Sequence, residues 1–131
     1  MNILIFGGAG FVGRHYSEYF LKKNDFVKII DNIAPLSGGI HPKKWKLFSP
    51  YKFNKKFKFL NQDCRKFFKN RLEKKYDLVI NLAAIVGGRE VIENNPLAVA
   101  EDLEIDTAFW RWVVKNKKKI RHVITYSSSA A

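Results

Sequence analysis

A chain of 131 residues has the length of one domain, and its 47% apolar and 15% aromatic content excludes a disordered chain, a collagen-like repeat and a linker. The longest nearly uncharged apolar run, residues 78–86, is too short to cross a membrane, and the N-terminus lacks the basic start of a signal peptide. One cysteine and three scattered histidines offer neither an internal disulfide nor the spacing of a metal site. We therefore expect one cytoplasmic domain with no metal and no membrane partner.

The formal charge of +12 comes mainly from residues 41–75, where lysines are mixed with Trp, Tyr and Phe. One interpretation is a nucleic-acid site in segment 43–75, in which phosphates pair with lysines and bases stack on the rings. The other is a lysine-rich surface over a core of aromatic side chains. The second is favoured because lysine outnumbers arginine and no nucleic-acid-binding motif is present.

The first 31 residues predict a strand, a turn, a helix and a second strand. The apolar run 2–6 leads into glycines at 7, 8 and 10, which indicates a buried parallel strand that ends in a tight turn. Apolar residues then recur every three or four positions from Phe11 to Phe20, as in a helix that ends at Asn24. The run 26–31 predicts the second strand, so that the whole has the length of a βαβ unit.

The rest of the chain predicts three more strands and two helices. Residues 32–56 hold three of the four prolines and predict loops, a strand follows at 57–60, and a short basic helix at 65–72 turns its apolar residues inward. A fourth strand is expected at 77–82, a helix at 96–115 and a fifth strand at 122–126. The expected buried side of the long helix comprises Leu97, Ala100, Leu103, Thr107, Trp110 and Val114. This alternation predicts an α/β fold: a doubly wound, mostly parallel sheet of about five strands, with a ligand at its carboxyl edge.

Gly7, Gly10 and Gly13 follow the first strand at the spacing G-x-x-G-x-x-G, and with Gly8 in place of Gly7 they fit G-x-G-x-x-G. Between a strand and a helix, this pattern is typical of a dinucleotide-binding turn. Gly7 permits the tight turn, Gly10 lets the diphosphate approach the backbone, and Gly13 lets the helix pack on the strand. Asp31 ends the next strand, where a carboxylate accepts hydrogen bonds from the adenosine ribose and repels a 2′-phosphate, so NAD is favoured over NADP.

Five segments together resemble one known family: residues 6–13, 31–32, 62–63, 81–84 and 126–130. Their order and intervals are similar to those of the extended short-chain dehydrogenase/reductases, in particular the NAD-dependent nucleotide-sugar epimerases and dehydratases. The resemblance implies a Rossmann fold over 1–131, a bound NAD that takes part in hydride transfer at a sugar carbon, and a nucleotide-sugar substrate in the complete enzyme. It also implies that 1–131 is an incomplete domain, truncated before the later strands and the substrate-binding part.

The resemblance places the cofactor site at the ends of the first four strands. It implies that Asp63 pairs with the adenine amino group, although from the residues alone Asp63 is equally an N-cap of the following helix. It also implies that residues 82–84 line the cofactor near its diphosphate and ribose. The expected cofactor-binding set is Gly7, Gly10, Phe11, Val12, Gly13, Asp31, Asn32, Asp63, Cys64, Leu82, Ala83 and Ala84.

Serines 127–129 follow the fifth strand, and the resemblance places the catalytic hydroxyl at Ser129, with Ser128 nearer the nicotinamide ribose. In the family a Tyr-x-x-x-Lys pair downstream of these serines moves the proton, and the sequence given ends at Ala131. We therefore expect the chain alone to be nearly inactive. We also expect either self-association through the exposed edge of the fifth strand or disorder near residues 127–131.

Two formal Tyr-x-x-x-Lys matches, at 19–23 and 51–55, are rejected because both precede the serines and lie away from the expected nicotinamide position. Three alternatives to an epimerase/dehydratase stay open. The first is a non-catalytic dinucleotide-binding or sensing domain. The second is an NADP-dependent GDP-sugar epimerase-reductase, which the stretch 84–89 resembles and Asp31 disfavours. The third is nucleic-acid binding through segment 43–75.

Overall fold

The computed structural model describes residues 1–35, 37–85 and 89–126, which form a five-stranded sheet with helices on both faces. The strands are β1 (Asn2–Phe6), β2 (Phe26–Asp31), β3 (Phe57–Asn61), β4 (Tyr76–Asn81) and β5 (Ile120–Thr125). The helices are α1 (Phe11–Lys22), α2 (Cys64–Phe67), α3 (Arg89–Asn94) and α4 (Pro96–Lys115), and two 3-10 helices span Pro42–Lys44 and Pro50–Lys56. No helix in these ranges is long and apolar enough to span a bilayer.

The strand order is β3-β2-β1-β4-β5, and all four neighbouring pairs are parallel. The chain thus moves outward from β1 to β3 and then crosses back to β4, so the order reverses beside β1. This arrangement confirms the predicted doubly wound α/β sheet. In such sheets ligands bind outside the carboxyl ends of the strands at the point of reversal.

Each face of the sheet carries its own hydrophobic core. On one face Phe6 lies in edge contact with Phe68 and Trp112, and α4 covers this cluster. On the other face Ile3, Ile5 and Ile29 pack beneath α1 and the 3-10 segment. Because both faces are covered, the central strands read as continuous apolar runs rather than as alternating ones.

The aromatic side chains of the basic segment pack inward, except that of Tyr51, which is 39% exposed. Trp45 and Phe57 are buried, while Phe48 and Phe53 are partly buried against the same cluster. The Trp45 indole also donates a hydrogen bond to the Ile40 carbonyl at 2.8 Å. The lysines of the two 3-10 helices, apart from the half-buried Lys56, face solvent, so this region is a lysine-rich surface over an aromatic core, the favoured interpretation. Buried rings are not available to stack on bases.

The prediction of which side of α4 is buried is wrong. Leu97, Leu103 and Val114 are 66%, 63% and 67% exposed, and the others predicted there, Ala100, Thr107 and Trp110, are exposed as well. The helix instead buries its other apolar stripe, Ile105, Phe109 and Trp112. The helix carries two apolar stripes, and the one with the larger rings packs on the sheet because it removes more apolar surface from water.

Helix α2 is shorter than the predicted helix at 65–72. Asp63 caps its first turn, but beyond Phe67 the chain bonds to α4 instead of continuing the helix. The Leu72 N–H donates to Asn116 Oδ1 at 2.9 Å, and the Asn70 carbonyl accepts from the Trp112 indole at 3.0 Å. Leu72 and Phe68 are nevertheless buried, as predicted.

Candidate functional site

A cavity of about 720 Å³ lies at the carboxyl edge of the sheet, beside the end of β1. Its volume is within the range of small-molecule and cofactor clefts. Segments far apart in the sequence form it: the turn after β1, the loop after β2, the start of α2 and the loop after β4. The lining includes all twelve residues predicted to hold the cofactor, namely Gly7, Gly10, Phe11, Val12, Gly13, Asp31, Asn32, Asp63, Cys64, Leu82, Ala83 and Ala84.

At two places in the turn between β1 and α1 a Cβ would collide with backbone atoms, and at Gly8 it would come within 2.7 Å of the buried Ile29 side chain. Gly7 has a φ of +72°, and a Cβ there would come within 2.6 Å of the Leu82 carbonyl carbon. A Cβ on Gly13 would come within 2.4 Å of the Gly8 Cα. Gly13 therefore lets α1 approach the turn itself, rather than the strand as predicted.

Gly10 differs from these two glycines because the fold does not need it. It has φ −73° and ψ 179°, which any residue adopts, and a Cβ there would meet only the Gly7 carbonyl oxygen, at 3.6 Å. It is the N-cap of α1, provides no capping side chain, and the first turn contains no acidic residue. The backbone N–H groups at the start of α1 therefore face the cavity without a side-chain acceptor, which is a favourable place for an anion.

Asp31 joins the glycine turn to the loop after β2. One carboxylate oxygen accepts from the Ala9 N–H at 2.9 Å, and the other accepts from the Ile33 N–H at 2.8 Å. Ile33 has a φ of 50°, an uncommon value for a β-branched residue, and its hydrogen bond to Asp31 helps to hold it. An ionised carboxylate offers about four acceptor positions, so about two remain for a ligand in the cavity.

Asp63 is the N-cap of α2, accepting the Arg65 N–H at 2.8 Å. It also forms an ion pair with the Arg65 guanidinium at 2.8 Å, and Arg65 reaches Glu104 of α4 at 3.2 Å. The hydrogen bond from Arg65 lowers the pKa of Asp63, although partial burial opposes it. The N-cap interpretation of Asp63 is thus correct, and the same carboxylate lines the cavity.

Cys64 lies next to Asp63, and its side chain is buried. Burial raises the pKa of its thiol to about 12, with a smaller contribution from the Asp63 carboxylate. The thiol is therefore protonated at neutral pH and is not a nucleophile.

The loop after β4 forms the opposite wall. The Leu82 N–H continues the ladder to the Phe6 carbonyl at 2.8 Å, and the Asn81 side chain accepts from the Ala83 N–H at 3.3 Å. Asp102 of α4 accepts from the Ile85 N–H at 2.8 Å. These bonds hold residues 82–85 against the cavity.

Comparison with known proteins decides the family. The model of the NAD dependent epimerase/dehydratase family matches residues 3–131. The chain belongs to this family. The bifunctional polymyxin resistance protein ArnA of Wigglesworthia glossinidia brevipalpis is 34% identical over 122 residues, which is 91% of this chain and 17% of that protein.

Solved structures of epimerases share the fold. UDP-N-acetylglucosamine 4-epimerase from Methanobrevibacter ruminantium, in complex with UDP-N-acetylmuramic acid, has a TM-score of 0.72 at 26% identity, over 98% of this chain and 38% of that one. UDP-glucose-4-epimerase from Stenotrophomonas maltophila, with bound NAD and formylated UDP-arabinopyranose, has a TM-score of 0.76 at 18% identity, over 99% and 38%. The chain thus spans well under half the length of these relatives.

The remaining predicted residues of the epimerase/dehydratase family pattern have different outcomes. Ser128 and Ser129 lie outside the described residues. Tyr126, which precedes them, lines the cavity, and its hydroxyl is hydrogen-bonded to that of Tyr16 on α1. The rejected Tyr19 lies on α1 with 54% of its surface exposed and is not part of the cavity lining.

The sequence analysis missed several lining residues. They are Ile30, Ala34, Pro35, Ser37, Gly39, Arg65, Ile85, Val91, Asn95, Ala98, Ile105 and Tyr126. Most lie in the loop after β2 or on α3 and α4, which fold over the edge of the sheet. Their positions depend on tertiary packing. Ile30, Arg65, Ile85 and Tyr126 lie in or directly beside segments that the sequence analysis had singled out.

Proposed function

We propose that this chain is the NAD-binding part of a nucleotide-sugar epimerase or dehydratase. The observation that carries the proposal is the convergence of twelve separately predicted residues on one cavity at the reversal point of the sheet. Membership of the NAD-dependent family supports it. Location in the cytoplasm and a nucleotide-sugar substrate in the complete enzyme belong to the same proposal.

The cavity residues fit a dinucleotide. The N–H groups at the start of α1 hold the diphosphate, and Gly10 leaves room for it because no Cβ intrudes. The two remaining acceptor positions of Asp31 take the ribose hydroxyls. Asp63, kept ionised by Arg65, takes the adenine amino group. Residues 82–84 form the wall beside the diphosphate and ribose.

NAD is preferred over NADP because the described part of the site offers no free cation for a 2′-phosphate. Among the described lining residues Arg65 is the one cation, and it is already paired with Asp63 and Glu104. Asp31, at the position of the ribose, would repel the 2′-phosphate of NADP.

Bound NAD+ supplies a hydride acceptor for oxidation of a sugar carbon. In this proposal Ser129 donates a hydrogen bond to the substrate oxygen and Ser128 contacts the nicotinamide ribose. A Tyr-x-x-x-Lys pair outside these 131 residues moves the proton. Without it, the chain alone has little activity.

Self-association is a further part of the proposal. Within the described residues β5 pairs only with β4, so its other edge presents unpaired backbone groups. Light scattering that finds a monomer over a wide range of concentrations would contradict this part and leave cofactor binding untouched.

Isothermal titration of the chain with NAD+ and NADP+ tests the cofactor proposal. We expect NAD+ to bind more tightly, and Asp31→Asn to weaken NAD+ binding by about tenfold, equivalent to about 1.4 kcal/mol. Asp31→Asn keeps the size of the side chain and one acceptor oxygen. Glu18→Gln, which removes an equal charge on α1, is the matched control and should bind like the wild type. Equal affinity for the two cofactors, or an unchanged Asp31→Asn variant, would overturn the proposal.

A further inference from the structure

Three lysines come together on the sheet away from the cofactor cavity. Lys28 in β2 and Lys58 in β3 are register partners in a parallel pair, so their side chains project from the same face about 4.8 Å apart at the backbone. Lys74, in the loop before β4, stands over the ring of Tyr76, which belongs to the same hydrophobic cluster as Leu4 and Phe67, and its charge repels Lys28. The face is the one that carries Leu4, Phe67 and the α4 core.

Two of these three ammonium groups stand over aromatic rings. Lys28 Nζ lies 5.2 Å from the centre of the Phe67 ring, and Lys74 Nζ lies 5.1 Å from the centre of the Tyr76 ring. These cation–π contacts favour fixed positions for the charges of Lys28 and Lys74. Lys28 is half-buried, whereas Lys58 and Lys74 are exposed.

The cluster lacks a matching negative charge. Glu73 is the carboxylate that attracts Lys28, and the ion pairs of the described ranges include none of the three lysines. Partial burial, and then repulsion by Lys74 and Lys58, lower the pKa of Lys28. Three like charges at one place favour an anion as counter-charge, since it relieves their mutual repulsion.

We propose that Lys28, Lys58 and Lys74 form a binding site for a phosphate-bearing anion. Lysines act as point charges and fit a phosphoryl group without the planar fork of arginine. The nearby rings, Phe67 and Tyr76, lie beneath the ammonium groups and are partly or fully buried, so the site binds phosphate rather than bases. Lys28 precedes Asp31, a lining residue of the cavity, by three residues of extended chain, about 10 Å, so the site is separate from the cofactor cavity.

Two sources offer this chemistry, a free oligophosphate and the phosphodiester backbone of a nucleic acid. Inorganic tripolyphosphate and a short DNA duplex, each titrated calorimetrically at about 50 mM salt, distinguish them. We expect at least one probe to bind, and the tighter one at equal phosphate concentration identifies the source. Binding should weaken steeply towards about 200 mM salt.

Single variants locate the site. Lys28→Gln, Lys58→Gln and Lys74→Gln should each weaken binding by about three- to tenfold. The matched controls Lys43→Gln and Lys44→Gln remove the same charge from exposed positions on the 3-10 helix Pro42–Lys44, and should change affinity by less than about twofold.

Three results would overturn the proposal: no binding of either probe, equal losses in all five variants, or binding that survives Lys58→Gln and Lys74→Gln unchanged. The last result would place the anion at the glycine turn instead. Lys58 and Lys74 are exposed, so these two variants test the site even if Lys28→Gln disturbs folding. Far-UV circular dichroism checks that each variant is folded.

Discussion

The contrast between Gly10 and Gly13 separates what the fold needs from what a ligand needs. In Gly13→Ala the new Cβ would lie 2.4 Å from the Gly8 Cα, against backbone that cannot rotate away, so we expect a loss of about 3 kcal/mol in the free energy of unfolding. In Gly10→Ala the new Cβ meets one atom at 3.6 Å. The lower entropy of the unfolded chain and the poorer N-cap nearly cancel, so the change in stability stays within about 1 kcal/mol.

Cofactor binding should respond in the opposite way. The Gly10→Ala methyl group occupies space at the start of α1 where the diphosphate approaches, so NAD+ affinity should fall by at least about tenfold. Urea unfolding followed by circular dichroism gives the stability, and calorimetric titration gives the affinity. The reasoning is refuted if Gly10→Ala binds NAD+ like the wild type, or if it destabilises the chain as much as Gly13→Ala.

Three further predictions follow from burial and charge. Phe109→Ala should lower the free energy of unfolding by about 3–5 kcal/mol, and Leu103→Ala, at an exposed position, by less than about 0.5 kcal/mol. Urea unfolding measures both changes, and comparable losses would contradict the assignment of the Phe109 side of α4 as the buried one. Cys64, with a thiol pKa of about 12, should react with an aromatic disulfide reagent at pH 8 only after unfolding. Because Arg65 lowers the pKa of Asp63, their pairing stabilises the fold at pH values above the ordinary aspartate pKa, and this contribution is lost as the pH falls through the lowered value. Arg65→Gln should therefore reduce the free energy of unfolding more at pH 7 than at pH 2. Equal losses at the two pH values would contradict the pairing.

The sequence was sufficient for the sheet and for the glycine turn after β1. Central parallel strands are buried on both faces, so runs such as Asn2–Phe6 are apolar throughout and easy to recognise. The glycines are informative for a similar reason, because a positive φ at Gly7 and the close approach at Gly13 admit no side chain. Local backbone requirements of this kind are visible in one sequence.

The face of a helix is harder to predict when the helix has two apolar stripes. In α4, Leu103 and Val114 fit the helical period as well as Phe109 and Trp112 do. Periodicity measures spacing, whereas burial depends on which stripe meets the rings around Phe6. That choice is made by tertiary packing.

The end of α2 and the path of the loop after β2 could not be predicted from the sequence either. The side chains of Asn116 and Trp112 form hydrogen bonds with the backbone of residues 70–72. Because these residues bond to α4, α2 ends earlier than predicted. The two 3-10 helices form because Trp45 and Phe57 are buried against the sheet and fix the path of the chain. Long-range contacts of this kind leave no periodic trace.

The central claim is that the cavity beside β1 holds NAD, and mapping the cofactor by NMR tests it most directly. In ¹H–¹⁵N spectra of the labelled chain, saturating NAD+ should shift the amides of Gly10, Phe11, Val12 and Gly13 at the start of α1, together with those of residues 82–84. The amides around Lys43 and Lys44 should not move. Shifts confined to the basic surface, or no shifts at all, would contradict the account.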